Sequence, residues 1–162
     1  MHLLQTERTY LRRFEKSDLD QIIEMESDPK VMEKTGRGRA QTDEESNARL
    51  DKILKHRSFS DFDGYFAVIE KKTDLLIAWF MLLPITDKDY EIGFMLNQSY
   101  WGKGFGLEVC RELSSKALLC DHIEKIIAKV SASNNASKNL LEKCSFIKTR
   151  SEKDIETYQL LK

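Results

Sequence analysis

Apolar positions recur along the chain with two periods, and the switches between them mark out its elements. Thr9-Tyr10-Leu11-Arg12-Arg13-Phe14 alternates as a strand does, whereas Leu19, Ile22, Ile23 and Met25 share one side of a helix, with Ser17 as the expected N-cap and Asp28-Pro29 as the stop. Gly36-Arg37-Gly38-Arg39 reads as a solvated basic loop. After it, Thr42-Asp43-Glu44-Glu45 has capping-box spacing and opens a second helix carrying Leu50, Ile53 and Leu54. Three strand-like runs follow, Tyr65 to Glu70, Leu75 to Leu83 and Tyr90 to Leu96, separated by polar turns as in an antiparallel meander. The middle run is apolar at both parities, which predicts a strand covered on both faces near the centre of the sheet.

Beyond the third run, three of the seven glycines fall within Gly102-Lys103-Gly104-Phe105-Gly106. A helical stripe of Val109, Cys110, Leu113, Ala117 and Cys120 comes next, and then Ile126, Ala128 and Val130 alternate as a strand. Asn135 to Lys143 predicts a short helix, and Ile155 to Leu161 a terminal strand paired near Phe146 to Lys148. No repeat, low-complexity tract or linker interrupts this order, and 162 residues suit one domain over 1–162.

Composition narrows the classes of partner. The 26 Lys and Arg nearly cancel the 27 Asp and Glu, so no global field recruits nucleic acid or an anionic membrane. The apolar run from Leu75 to Leu83 is too short to span a bilayer, and Met1 onward has no secretory pattern, so a cytoplasmic protein is expected. Cys110, Cys120 and Cys144 lack C-x-x-C spacing and suit reduced thiols, while His2, His56 and His122 are scattered, so no metal is expected.

The chemistry therefore concentrates on the glycine cluster. Closely spaced glycines let backbone N–H groups converge on an anion, and the first turn of the following helix adds unpaired donors and a positive dipole end, so the expected guest carries phosphate. A plain tight turn is the alternative. The cluster is neither G-x-x-x-x-G-K-[ST] nor G-x-G-x-x-G, which removes support for nucleotide hydrolysis and hydride transfer.

In this order the motifs resemble the GNAT superfamily of acyl-coenzyme A N-acyltransferases, in particular the branch of ribosomal-protein-alanine N-acetyltransferases. Thr6-Glu7-Arg8 with Leu11-Arg12 is similar to that branch's opening, Tyr90-Glu91-Ile92-Gly93-Phe94 to its fourth strand, and Tyr100 to Glu108 to its coenzyme loop. Asn134-Asn135-Ala136-Ser137 with Leu141-Glu142-Lys143 and Phe146 is similar to its last motif. Asn97-Gln98-Ser99 stands where a proline is common, and Ser145 where a glycine is usual.

The resemblance implies an α/β (α+β) GNAT fold, a mixed, mostly antiparallel sheet of about six to seven strands with about four helices and one splayed strand pair. It implies acetyl-CoA as cosubstrate, with Trp101, Gly102, Lys103, Gly104, Phe105 and Gly106 at the diphosphate. Phe94, Met95 and Leu96 would pair their backbone with the pantetheine arm, and Asn134 would bond that arm. Acetyl transfer to a primary amine, on a protein N-terminus or a small molecule, would use Glu91 as base, with Gly93 leaving room beside the thioester. Ser137 would serve as donor to the leaving sulfur, since Leu141 occupies the position where many members carry a tyrosine. Glu91 read without the resemblance is a solvent-facing strand glutamate, and Asn134 and Ser137 are helix-capping residues.

An α-amine with a pKa near about 7.8 is already about one-tenth neutral at pH 7, whereas a lysine amine near about 10.4 faces a deficit of about 4.6 kcal/mol, so only the latter demands a strong base. A coenzyme-binding or sensing module without turnover remains the rival reading. The chain is expected as a monomer or homodimer, and Cys144 has no identifiable activating histidine that would support an acyl-enzyme route.

Overall fold

The computed structural model of the protein describes residues 1–162. Its strands are β1 (Leu4–Gln5), β2 (Thr9–Arg12), β3 (Gly64–Glu70), β4 (Leu76–Pro84), β5 (Asp89–Leu96), β6 (Lys125–Ser131), β7 (Ile147–Glu152) and β8 (Ile155–Leu161). Its helices are α1 (Leu19–Glu26), α2 (Pro29–Met32), α3 (Asp43–Lys55), α4 (Phe105–Ala117) and α5 (Asn135–Lys143). All eight strands join one sheet in the order β1-β2-β3-β4-β5-β6-β8-β7. Neighbours are antiparallel except β5 and β6, which run parallel. The sheet exceeds the expected count because Leu4–Gln5 adds an edge to β2 and the C-terminal chain closes a full hairpin.

Local chemistry explains most element ends. Thr42 accepts from the Glu45 N–H at 3.2 Å while Glu45 accepts from the Thr42 N–H at 2.9 Å, the expected capping box. Ser17 is not the cap of the first helix. The chain enters through a 3₁₀ turn at Lys16–Asp18, where Asp18 accepts from the Glu15 N–H at 2.7 Å and forms a two-pronged ion pair with Arg12 at 2.7 and 2.8 Å. Asp18 is acceptor-only and takes both partners, which a serine at this site cannot do. Asp28 ends α1 and at once caps α2, accepting from the Lys30 N–H at 2.9 Å.

Two apolar cores lie on opposite faces of the sheet. α4 and α5 cover one, where Leu113 and Leu141 pack with Phe66, Phe80, Ile92 and Ile126. α1 to α3 cover the other, where Met25, Met32 and Leu50 pack with Ile69, Trp79 and Met95. β4 is buried from Leu76 to Phe80, as its unbroken apolar run predicts.

Candidate active site

β5 and β6 are joined over three rungs only, Asp89 with Lys125, Tyr90 with Ile126 and Glu91 with Ile127. Beyond Glu91 the two strands separate, β5 staying on β4 as far as Leu96 and β6 staying on β8 as far as Ser131. The Asn97 N–H reaches the Ile77 carbonyl of β4 at 2.9 Å. Alternation along an antiparallel ladder turns Met95 the same way, opposite Trp79, and turns the N–H and C=O of Phe94 and Leu96 toward the gap. The N–H and C=O of Phe94 and the N–H of Leu96 thus stand unpaired there, and those of Met95 do not. Its side chain is buried in the α1–α3 core. The Leu96 carbonyl accepts from the Trp101 indole N–H at 3.0 Å, so Trp101, half exposed, stands at the mouth of the gap.

The glycine loop crosses that mouth. Gly102 and Gly104 have φ of +70° and +82°, conformations that L side chains resist, whereas Gly106 serves close approach: a Cβ there would lie 2.9 Å from Leu140 Cδ1 and 3.3 Å from Leu96 Cδ2. Gly104 caps α4 without a side chain, and the first bond of the helix runs from the Glu108 N–H to the Gly104 carbonyl at 3.0 Å. The N–H groups of residues 102–107 therefore donate to nothing in the protein. A side-chain cap would normally satisfy some of them; this run leaves consecutive donors at the positive end of a 13-residue helix, the chemistry of a diphosphate cradle.

Arg8 fixes how that cradle points. Its backbone N–H and Nε donate to the two Glu108 carboxylate oxygens at 2.8 and 2.7 Å, its Nη1 donates to the Lys103 carbonyl at 2.9 Å, and its guanidinium lies 4.1 Å over the Phe105 ring. In a trans peptide the carbonyl of one residue and the N–H of the next point oppositely. Drawing the Lys103 carbonyl toward Arg8 therefore aims the Gly104 N–H the other way, toward an anion at the helix start. Desolvation pushes the Glu108 carboxyl up, but the Thr6 hydroxyl, the Arg8 amide and the Arg8 guanidinium outweigh it and hold it below its usual value. Phe105 is buried with Tyr100 packed edge-on at 5.4 Å, and the Lys103 ammonium lies 5.7 Å above the Tyr100 ring.

Glu91 and Gly93 project on the α1–α3 side of β5, beside the last rung shared with β6. The room expected over Gly93 is filled by Met81. A Cβ on Gly93 would lie 2.8 Å from the Met81 methyl, the far end of a flexible side chain. Across the gap, Asn134 is the N-cap of α5 and accepts from the Ser137 N–H at 3.2 Å, which leaves its amide donors and the Ser137 hydroxyl without protein partners. Leu141 is fully buried core. Cys144 sits at the end of α5 with its thiol 3.8 Å from the Leu107 carbonyl and against Cys110, whose thiol that contact and burial push well up. The basic loop is not free: Arg39 pairs with Glu45 at 2.6 Å and Arg37 donates to Gln41 at 2.8 Å.

Arg8 is the residue that reading for chemistry passed over. Its partner Glu108 lies 100 residues away, beyond any local periodicity, and the one trace of it is the similarity of Thr6-Glu7-Arg8 to the opening motif.

The acetyltransferase (GNAT) domain family matches residues 8–147. An uncharacterized N-acetyltransferase p20 from Bacillus licheniformis is 31% identical over 158 residues, covering 96% of this chain and 88% of its own length. Among solved structures, RimL, a ribosomal L7/L12 alpha-N-protein acetyltransferase in complex with coenzyme A, superposes with a TM-score of 0.84 at 14% identity, covering 99% of this chain and 98% of the other. Spermidine N-acetyltransferase from Vibrio cholerae, in complex with CoA and spermine, gives 0.78 at 18% identity over 95% of each chain. No helix is long and apolar enough to cross a membrane.

Proposed function

The chain belongs to the GNAT family of acetyltransferases, and from that premise we propose that it moves an acetyl group from acetyl-coenzyme A to a primary amine by direct attack in a ternary complex. One observation carries the reading. Six consecutive backbone N–H groups without internal partners, at residues 102–107, stand at the mouth of a gap between two parted strands. The cradle takes the diphosphate, and the Phe94 backbone with the Leu96 N–H takes the amide-bearing arm, so the thioester reaches Glu91 and Gly93.

Acetyl-coenzyme A supplies the activated acyl carbon. The protein's own groups do the rest. Glu91, directly or through water, accepts the proton that the amine loses as its C–N bond forms and the C–S bond breaks. The Ser137 hydroxyl is the donor to the departing sulfur, with Asn134 holding the arm through its amide. RimL acts on a ribosomal protein N-terminus and the Vibrio cholerae enzyme on spermidine, and both are amines. The acceptor here is accordingly an amine on a peptide N-terminus or a small molecule.

Titration calorimetry with acetyl-coenzyme A, followed by thiol release over an amine panel, tests the proposal. Binding with amine-dependent release is expected. Binding without release from any amine makes the chain a coenzyme sensor, and failure to bind removes the assignment.

A further inference from the structure

The acceptor face contains a second feature, a cavity of about 240 Å³ walled by Phe14, Ile53, Leu54 and Tyr65, with Arg13 and His56 at its polar side. Resting on the acyl-transfer reading, we infer that this cavity is the acceptor subsite and takes an amine carrying one aromatic or branched apolar group on a short linker, with no second cation. Position comes first. Tyr65 faces Met81 across β3 and β4, and Met81 faces Gly93 across β4 and β5, so the cavity wall and the reacting position share one rung. Two strand spacings separate them, about 10 Å. The side chain between them is Met81, whose flexible thioether lies over Gly93 and can yield a path. The larger cleft, about 410 Å³ between α1–α2 and Asn97–Ser99, opens beyond the far end of β5, off this rung.

Size and charge select the occupant. A cavity of about 150 Å³ accepts benzene, so this one accommodates a single ring with a short linker. A chain of two or three carbons then directs the nitrogen over Met81 toward Gly93 and Glu91. No carboxylate lines the cavity. The nearby Asp63 is fully buried and engaged by the Phe59 N–H at 3.0 Å and the Ser60 N–H and hydroxyl. Arg13 is a fixed positive charge, and its terminal nitrogens donate to the carbonyls of Ser60, Asp61, Asp63 and Tyr65, so it organises the loop rather than waiting for an acid. A polyamine would have to place its distal ammonium beside Arg13, against both charge and apolar walls.

The test measures kcat/KM by thiol release from acetyl-coenzyme A with phenethylamine, a peptide amide beginning with phenylalanine, methylamine and spermidine. One of the two aromatic amines is expected to exceed spermidine and methylamine by about 10-fold or more, and whichever leads identifies a free amine or a peptide N-terminus as the source. Leu54→Glu, with Leu54→Ala as the milder change, should erase that preference and leave acetyl-coenzyme A affinity unchanged. Spermidine or methylamine matching the aromatic amines overturns the subsite and leaves acyl transfer standing, as does a preference that survives both Leu54 variants. Release from no amine, with acetyl-coenzyme A still bound, overturns acyl transfer and the subsite with it.

Discussion

The face of the sheet proposed for the coenzyme and the face proposed for the acceptor are built from different material. At the start of α4 the unpaired groups are backbone N–H donors, positioned by the left-handed turns at Gly102 and Gly104 and by one long-range clamp, Arg8 with Glu108. Across the sheet the walls are side chains, Phe14, Ile53, Leu54 and Tyr65, and Met81 lies between Tyr65 and Gly93. A backbone cradle binds whatever carries a diphosphate and tolerates little change at its glycines. A side-chain pocket can change its guest by changing one wall. The division matches a fixed donor and a variable acceptor.

Substitutions can break the two sides apart. Gly104→Glu forces a side chain into φ +82° and puts a negative charge in the cradle. Losing two to three charge-assisted contacts at about 1.5 kcal/mol each weakens acetyl-coenzyme A binding by about 4 kcal/mol, roughly 1,000-fold by calorimetry, while the Tm stays near that of the parent protein. Glu91→Gln should lower kcat about 100-fold at pH 7 with acetyl-coenzyme A affinity unchanged, and the deficit should close at pH above the amine's own pKa, where no base is needed. An unchanged pH–rate profile assigns proton removal to water alone.

Arg8→Ala sharpens the comparison because Arg8 touches the loop and not the acceptor face. It should raise KM for acetyl-coenzyme A about 10-fold with kcat preserved, Lys should fail to restore it because the guanidinium fork holds Glu108 through Nε and the Lys103 carbonyl through Nη1 at once, and Arg8→Ala with Glu108→Gln should be less than additive. Acid probes the same clamp. Glu108 titrates below its ordinary 4.5 in the fold, so the clamp's contribution is complete above that value and is lost as pH falls through the lower folded one. Coenzyme affinity should decline about three-fold there, and Glu108→Gln should flatten the decline. Ser137→Ala is the smallest change, about three-fold in kcat with no shift in Tm, since the backbone cap by Asn134 remains. Full activity would leave Ser137 a first-turn residue of α5 and nothing more.

The glycine turn ahead of α4 was legible in the sequence for a physical reason. Glycines needed for φ near +70° to +82° cannot be replaced without strain, so they cluster visibly ahead of the amphipathic stripe of α4. The strand alternation around β5 placed Glu91 and Gly93 on one side, and the capping box at Thr42 and Glu45 opened α3 where the spacing put it. The first helix start was misjudged because Asp18 serves Arg12 and the Glu15 amide together, a tertiary pairing that outranks Ser17 as a local cap. Met95 was grouped with Phe94 and Leu96, but which backbone edge a residue shows is set by register against β4, which is not written in strand composition. The cavity walls were invisible for a related reason: Phe14, Ile53 and Leu54 look like any core residues until the fold leaves a space beside them.

The central claim is that amides 102–107 grip a diphosphate, and amide proton–nitrogen spectra of the labelled protein test it most directly. On addition of coenzyme A, the resonances of Gly102, Gly104, Phe105, Gly106 and Leu107 should move together and saturate with the calorimetric affinity, and dephosphorylated pantetheine should leave them in place. Saturable coenzyme A binding that leaves those amides unmoved would contradict the account.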